Sequence, residues 1–179
     1  MSKLNHDILY LIFEELSDTG YDLLCCSLVN KFWCEIAVPI LWRCPIKYFT
    51  DDDFDNAKRR KLLLNMIILH LPEASRKLLL NENINIISVE QQEQKLSFDY
   101  VSFCKYINHK FFFNEDTHLS NHSQQILLEQ EIYKLFMNKC SIEYLNPIDM
   151  KHSIYQLSGA KTSLSNLFEL SCNSYEKEQ

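Results

Sequence analysis

Glycine and proline are scarce in this chain of 179 residues, which contains only two glycines and four prolines. Phosphate-binding loops of the Walker and Rossmann kinds need several glycines at fixed spacing, and so does the nucleophile elbow Gly-x-Ser-x-Gly. Gly20 and Gly159 are too far apart to form any of these motifs. The same scarcity favours helices over a β-sandwich, because a sandwich needs many tight turns.

Long hydrophobic runs and a net positive charge are also missing. The longest later apolar run, Leu62 to Leu71, is interrupted by Asn65 and His70 and is far shorter than a membrane span. Acidic residues interrupt the apolar stretch near the start, so we expect no signal peptide. The net charge of −6 argues against a nucleic-acid partner, although it leaves room for a local basic patch. We therefore expect neither a membrane nor a nucleic acid as partner.

The chain has an odd number of cysteines, seven, and most of them lie among apolar residues. This pattern predicts buried free thiols rather than a disulfide framework, and therefore a reducing compartment, either cytoplasm or nucleus. The hydrophobic fraction of 46% is enough for a sizeable core. The cysteines are Cys25, Cys26, Cys34, Cys44, Cys104, Cys140 and Cys172.

The most informative pattern lies in the first fifty residues. On a helical wheel with Ile8 at 0° and about 100° per residue, Ile12 lies at about 40°, Leu9 at about 100° and Phe13 at about 140°. Leu11 lies on the other side of Ile8, at about 300°. The apolar arc is about 200° wide, whereas a core-facing helix needs little more than about 100°. The pattern predicts two surfaces to bury, one against the rest of the domain and one against a partner.

The residues that follow extend this pattern with a specific spacing. The matching elements are Leu4, Asp7-Ile8-Leu9, Ile12-Phe13, Leu16, Leu24, Leu28-Val29, Trp33 and Leu41-Trp42-Arg43. Over residues 1–45 the arrangement resembles the F-box, the helical module by which F-box proteins dock on the Skp-type adaptor of cullin–RING ubiquitin ligases. The family usually opens with Leu-Pro, and here Asn5 replaces the proline; Asn is a good N-cap, so the helix start is preserved. The resemblance implies these adaptor-binding residues: Leu4, Asn5, Ile8, Leu9, Ile12, Phe13, Leu16, Leu24, Leu28, Val29, Trp33, Leu41 and Trp42. Within the module, Trp33 and Leu28 are expected to lie where the helices meet.

The middle of the chain is predicted to be mainly helical. Pro39 and Pro45 are expected to mark the end of the first module, and Pro72 to start a short helix through Leu80. The basic tetrad at 58–61 could be a nuclear import signal or a nucleic-acid contact, but a solvated helix flank is the favoured interpretation. A helix is also predicted across 96–107, and the clearest one runs from 123 to 140 with Ser123 as its cap. The apolar stripe of that last helix consists of Leu128, Ile132, Leu135, Phe136 and Cys140.

The C-terminal part contains a weak repeat. Segments 142–145 and 167–170 are both predicted to be short strands, and they start 25 residues apart. A repeat of about 20–29 residues with one strand each is typical of leucine-rich repeats. Many F-box proteins carry such repeats after the F-box, and the helical middle resembles the bridge in fungal-type members. A solenoid needs about three units, so we expect a shortened member or a fragment.

The predicted organisation is an F-box at 1–48, a helical linker region at 49–140 and a truncated leucine-rich-repeat-like segment at 141–179. The fold class is mainly α, with a three-helix module, a helical linker and the start of an α/β solenoid. Neither a metal site at His118 and His122 beside Glu115 and Asp116, nor a nucleophile pair at Cys104 and His109, is favoured.

We expect no catalytic, cofactor or metal site. The predicted function is that of a non-catalytic substrate-recognition subunit. It would bind the Skp-type adaptor, and through it a cullin, as well as an unknown protein substrate. The alternative is an F-box-like interaction module that acts outside the ligase, or a truncated form that binds the adaptor without recruiting a substrate.

Overall fold

A computed structural model of the chain describes residues 5–47, 56–84, 96–109, 113, 121–147 and 153–171. The first described range contains helices α1 (His6–Glu15), α2 (Gly20–Ser27) and α3 (Lys31–Arg43), with a 3-10 turn at Leu16–Asp18. The three helices enclose a small core formed by Leu9, Phe13, Leu23, Ile36, Ala37 and Ile40.

Local sequence explains where α3 begins. A prediction based on proline, however, places the end of the helix too early. The Asn30 side chain accepts a hydrogen bond from the backbone N–H of Trp33 at 3.0 Å, which caps the first turn. Pro39 was expected to help mark the end of the module, but it lies inside α3, which continues to Arg43. The expectation for Pro39 was wrong because flanking packing outweighs the loss of one backbone hydrogen bond: Val38 and Ile40 on either side are buried.

The rest of the described chain alternates helices with three short strands. Helix α5 begins directly after Pro72, which confirms the predicted helix start there. The elements are α4 (Asn56–Leu69), α5 (Glu73–Asn81), a 3-10 turn (Tyr100–Phe103), β1 (Tyr106–Asn108), α6 (His122–Lys139), β2 (Tyr144–Asn146), a 3-10 turn (Ile154–Gln156), α7 (Ala160–Ser163) and β3 (Glu169–Leu170).

The three strands form a parallel sheet in the order β1-β2-β3. Tyr106 is in register with Tyr144, and Tyr144 is in register with Glu169, 25 positions further along the chain. The two predicted C-terminal strands and their 25-residue offset are thus confirmed, with their bounds shifted by one or two residues. Because α6 and α7 lie between successive strands, each return to the sheet passes through a helix.

One hydrophobic core underlies the sheet and the helices that follow the first module. It includes Ile67 of α4, Leu79 of α5, Ile107 of β1, Phe136 of α6 and Leu145 of β2. The predicted division after residue 140 therefore falls inside a single core. All five residues of the predicted α6 stripe are buried in this core: Leu128, Ile132, Leu135, Phe136 and Cys140.

Two other predictions for this region were wrong. The segment 96–107 was expected to be a helix, but it contains the 3-10 turn and β1. Ser123 was expected to cap α6, but the cap is Asn121, whose side chain accepts the N–H of Ser123 at 3.0 Å.

The cysteines are free thiols at every described position, as expected, but they are not uniformly buried. Among these described cysteines, only Cys104 and Cys140 are buried, whereas Cys25 is exposed. Cys172 lies outside the described residues, as do all residues after 171.

The first module is joined directly to the larger core. The indole ring of Trp42, near the end of α3, packs against the Tyr100 ring with centroids 4.8 Å apart. The backbone N–H of Lys105 donates to the carbonyl of Arg43 at 2.9 Å. Trp42 and Ile46 also pack on the larger core, so the end of α3 belongs to both units. Within the described ranges, no helix is long and apolar enough to cross a membrane.

Candidate protein-interaction surface

Helix α1 divides its apolar side chains between two faces. Leu9 and Phe13 are each only 1% exposed and face the small core, whereas Ile8, Leu11 and Ile12 are 49%, 65% and 43% exposed. This division follows the helical wheel, since the buried pair lies near 100–140° and the exposed trio within about 60° of Ile8. The wide apolar arc of α1 is therefore divided into a buried side and an exposed side, as the sequence predicts.

A second group of exposed apolar residues lies at the end of α2 and the start of α3. Leu24, Leu28, Val29 and Phe32 are all exposed. The His6 ring at the start of α1 lies 6.2 Å from the ring of Phe32, centroid to centroid, so the start of α1 lies beside the start of α3. We call the exposed residues of both groups, Ile8, Leu11, Ile12, Leu24, Leu28, Val29 and Phe32, the N-terminal apolar surface.

This surface is unusual for the described part of the molecule. Of the fifteen large hydrophobic side chains that are exposed there, nine lie between residues 8 and 32. Scattered exposed apolar residues are normal, whereas a concentration of this kind is a candidate interaction surface.

The sequence-predicted contact residues fall into three classes. Asn5 is exposed and occupies the N-cap position of α1, but its side chain makes no capping hydrogen bond. Leu4 lies outside the described residues. Exposed are Ile8, Ile12, Leu24, Leu28 and Val29; buried are Leu9 and Phe13; half-buried are Leu16, Trp33, Leu41 and Trp42.

Leu28 was expected to lie where the helices meet, and this expectation was wrong. It is 78% exposed because α2 ends at Ser27 and Leu28 belongs to the turn that leads into α3. Trp33, expected at the same place, does contact the core: its ring meets the Phe13 ring edge-on at 5.3 Å, centroid to centroid. The rings form a T-shaped pair, an arrangement that aromatic side chains favour.

Four exposed residues between positions 8 and 32 were missed as site candidates: Tyr10, Leu11, Tyr21 and Phe32. The signal for Leu11 was present on the wheel, because it lies three positions after Ile8 and shares its face. Tyr21 and Phe32 carry no such signal, since each stands in the first turn of its helix without an apolar neighbour three or four positions before it on the same helix.

An ion pair fixes α3 against α1 behind this surface. The Arg43 guanidinium donates from Nη1 to Glu14 Oε2 at 2.9 Å and from Nη2 to the Tyr10 hydroxyl at 3.0 Å, and Nη2 also contacts Glu14 Oε1. The hydrogen bonds from Arg43 lower the pKa of Glu14 below its ordinary value, although partial burial opposes this. The same pair raises the pKa of Arg43. The pair is therefore ionised at neutral pH.

Two of the residues considered for catalysis, Cys104 and His109, lie in the described part of the chain, and both are buried. Burial raises the pKa of the Cys104 thiol well above its ordinary value, so the nucleophilic thiolate is disfavoured. His109 is buried, and its Nδ1 lies 3.0 Å from the Tyr133 hydroxyl oxygen. Within the ranges that the structure describes, no group of three or more metal-ligating side chains could hold an ion. His118, Glu115 and Asp116 lie outside those ranges, and His122 begins α6.

Comparison with known proteins agrees with the geometry of the first module. Residues 2–47 match the family model described as F-box-like. No curated protein matches the chain, and no solved structure does either. F-box domains are typically non-catalytic modules that bind Skp-type adaptors, so the domain indicates a role in protein–protein interaction. Three helices that enclose a small core and expose an apolar surface are consistent with that role. The chain therefore contains an F-box-like domain at residues 2–47.

Proposed function

We propose that the protein is the substrate-recognition subunit of a cullin–RING ubiquitin ligase. Its F-box-like domain would bind the Skp-type adaptor, and through it a cullin, while its C-terminal region would hold a protein substrate. The observation that carries the proposal is the N-terminal apolar surface, which lies on a domain of the family that typically binds this adaptor.

The adaptor would cover the exposed face of α1 and the turn between α2 and α3. Fully burying an aliphatic side chain contributes about 1.5–3 kcal/mol, so several such residues together provide a substantial driving force. The family resemblance includes Leu9 and Phe13 among the contacts, but both are buried. Their proposed role is indirect, because they hold α1 on the core and so orient Ile8 and Ile12. Leu11 and Phe32 join the proposed contact set because they are exposed at the same surface.

The C-terminal region supports the second half of the proposal. Its strands are parallel, follow one another in chain order and return through helices, and these features support the proposal of a leucine-rich-repeat-like region. Ile107 and Leu145 are buried beneath the sheet, so their neighbours Tyr106 and Tyr144 lie on its opposite face. This outer face, which also carries Glu169 in the same register row, is the surface that we assign to the substrate.

The mechanism would be proximity rather than chemistry. Holding a substrate lysine near a charged ubiquitin-conjugating enzyme raises its effective concentration, and no residue of this chain takes part in bond formation. The Trp42–Tyr100 contact and the Lys105–Arg43 hydrogen bond suit this role, since they connect the adaptor-binding module to the sheet without a free linker. The proposed setting is the cytoplasm or the nucleus, where ligase components and reduced cysteines are found.

Reconstitution with purified adaptor and cullin tests the proposal. The full chain is mixed with the adaptor, then with cullin, and the complexes are separated by size-exclusion chromatography with light scattering. We expect a complex that contains all three chains. A complex with adaptor alone that excludes cullin would favour the alternative, an F-box-like module acting outside the ligase. Failure to bind the adaptor would contradict the proposal altogether.

A further inference from the structure

The outer face of the sheet carries two stacked tyrosines beside a carboxylate. Tyr106, Tyr144 and Glu169 form one row across β1, β2 and β3, because each is in register with the next. The rings of Tyr106 and Tyr144 stack with an interplanar angle of 25° and centroids 5.8 Å apart. Both tyrosines are half-buried and Glu169 is exposed, so all three side chains are accessible from outside. We call these three residues the outer row.

The stacking leaves one face of the Tyr144 ring open toward Glu169. Tyr106 covers the face that is directed toward β1, so the opposite face is directed toward β3. Neighbouring strands are about 4.8 Å apart, and side chains of one row therefore stand side by side. A cation between the ring and the carboxylate lies within about 6 Å of the ring centroid, the distance at which cation–π attraction operates.

The uncompensated charge on this face is negative. Within the ranges that the structure describes, no ion pair joins Glu169 to a cation. The cations at the Tyr106 end, in contrast, each have a carboxylate partner: Arg43 pairs with Glu14, Lys47 with Asp18 and Lys105 with Glu143. The chain as a whole has a net charge of −6, which also attracts a basic partner at long range. The charge of the outer row therefore complements a cation and not an anion.

The backbone beneath the outer row is held by the parallel ladder. The N–H of Glu169 donates to the carbonyl of Glu143 at 3.0 Å, and the N–H of Ser171 donates to the carbonyl of Leu145 at 3.0 Å. Leu145 is itself buried in the larger core. Binding a ligand here orders little more than the Glu169 side chain, and this pre-organisation lowers the entropy cost of binding.

We propose that the outer row binds a basic side chain, arginine in preference to lysine, of the protein held by the C-terminal region. The inference rests on the proposed function, because it takes that protein to be the recruited substrate. The guanidinium lies against the open face of the Tyr144 ring and donates to the Glu169 carboxylate. Arginine fits better than lysine, since its planar group stacks on an aromatic ring while its N–H groups reach a carboxylate. The substrate class is a segment with an exposed arginine.

A peptide library of defined composition tests this preference. Peptides are needed because one cation–π contact and one exposed ion pair are each too weak to hold free arginine measurably. The full chain is immobilised, and random short peptides displayed on phage are selected on it. We expect the selected peptides to be enriched in arginine over the input library. Selection of acidic or purely apolar peptides, or no selection above background, would overturn the inference.

Matched glutamate variants show whether the preference depends on Glu169. Glu169→Gln keeps the shape of the side chain and removes its charge, and Glu82→Gln is the control, since Glu82 is also exposed but follows α5. A selected peptide is compared by fluorescence anisotropy with its citrulline version, in which a neutral group of the same shape replaces the guanidinium. Citrulline should weaken binding to the unchanged protein about tenfold, the combined effect of both contacts.

The same comparison should give a smaller difference with one variant alone. For Glu169→Gln the effect of citrulline should fall to about threefold, the part due to the Tyr144 ring, whereas Glu82→Gln should keep the tenfold effect. An equal effect of citrulline on all three proteins would overturn the inference.

A tyrosine pair separates stacking on the ring from attraction to the carboxylate. Tyr144→Leu removes the aromatic face, and Tyr155→Leu is the control, since Tyr155 is 72% exposed in a 3-10 turn outside the outer row. Thermal unfolding shows whether each variant is folded. In folded Tyr144→Leu protein the effect of citrulline should fall about threefold, and in Tyr155→Leu it should not change. An unchanged effect in folded Tyr144→Leu protein would contradict the role given to the ring.

Adaptor and cullin binding by the unchanged protein keeps the two proposals separate. A chain that binds both but selects no arginine peptides would contradict only this inference. A chain that selects arginine peptides through Glu169 but does not bind the adaptor would contradict only the proposed function.

Discussion

Arg43 and Glu14 lie 29 positions apart in the chain and form a two-pronged ion pair that joins the end of α3 to α1. Both side chains are only partly exposed, so water screens the pair less than it would a surface pair. Tyr10 accepts a further hydrogen bond from the same guanidinium at 3.0 Å. The interaction therefore holds the two helices in the orientation that leaves Ile8 and Ile12 exposed.

The Glu14 pair should make stability depend on pH in a defined direction. Because Arg43 lowers the folded-state pKa of Glu14, the stabilisation is present above the unfolded-state pKa, about 4.3. It should be lost as the pH falls through the folded-state pKa. Urea unfolding is measured at a series of pH values from 7 to 3. The free energy of unfolding should fall more steeply with decreasing pH for the unchanged protein than for Glu14→Gln. Equal slopes would contradict the role given to the pair.

Packing in the F-box-like core should distinguish Phe13 from Leu28. Phe13→Ala removes a buried ring that also contacts Trp33, and should lower the free energy of unfolding by about 3–5 kcal/mol. Leu28→Ala, at an exposed turn position, should change it by less than about 0.5 kcal/mol. Urea denaturation followed by circular dichroism measures both. A destabilisation by Leu28→Ala comparable to that by Phe13→Ala would show that the turn is packed.

The contrast between Leu28 and Phe13 also shows what the sequence could establish. Periodicity within one helix separated Leu9 and Phe13 from Ile8 and Ile12, because that separation depends only on helix geometry. Leu28 was misplaced because its exposure depends on where α2 ends, and element boundaries carry weak local signals. The proline at position 39 was misinterpreted for a similar reason, since burial on both sides of it outweighs its local preference.

The strands show the same distinction between local and non-local information. The 25-residue offset between β2 and β3 was readable because two short segments share a similar apolar pattern. Strand β1 was missed because Val101, Cys104 and Ile107 are spaced by three, which resembles a helix. All three residues are buried, so the pattern correctly indicated burial. The spacing, however, arises from a 3-10 turn followed by a strand and not from a helix. What makes Ile107 part of a strand is its pairing with Leu145, 38 positions away. The cavity lined by Ser17, Lys47 and Tyr106 was also unpredictable, because these residues come from the F-box-like domain and from the sheet.

The two glycines of the chain should respond oppositely to alanine. Gly159 has φ of 84°, in the left-handed region, and a Cβ there would clash with the backbone oxygen of Met137. Gly159→Ala should therefore destabilise the protein by about 1–3 kcal/mol or more. Gly20 begins α2, so Gly20→Ala should be neutral or slightly stabilising. Thermal unfolding of both variants checks this, and an unchanged melting temperature for Gly159→Ala would mean that the turn before α7 can rearrange.

Adaptor binding by two matched variants tests the central proposal most directly. Ile8→Asp places a charge on the N-terminal apolar surface, and Leu62→Asp places one on α4, at positions that are 49% and 55% exposed. Both proteins should remain folded by circular dichroism, because neither side chain is buried. Calorimetric titration with purified Skp-type adaptor should show that Ile8→Asp weakens binding by about a hundredfold or more, as expected for a central interface residue. Leu62→Asp should bind as the unchanged protein does. If folded Ile8→Asp protein bound the adaptor with unchanged affinity, the N-terminal apolar surface would not be the adaptor-binding site.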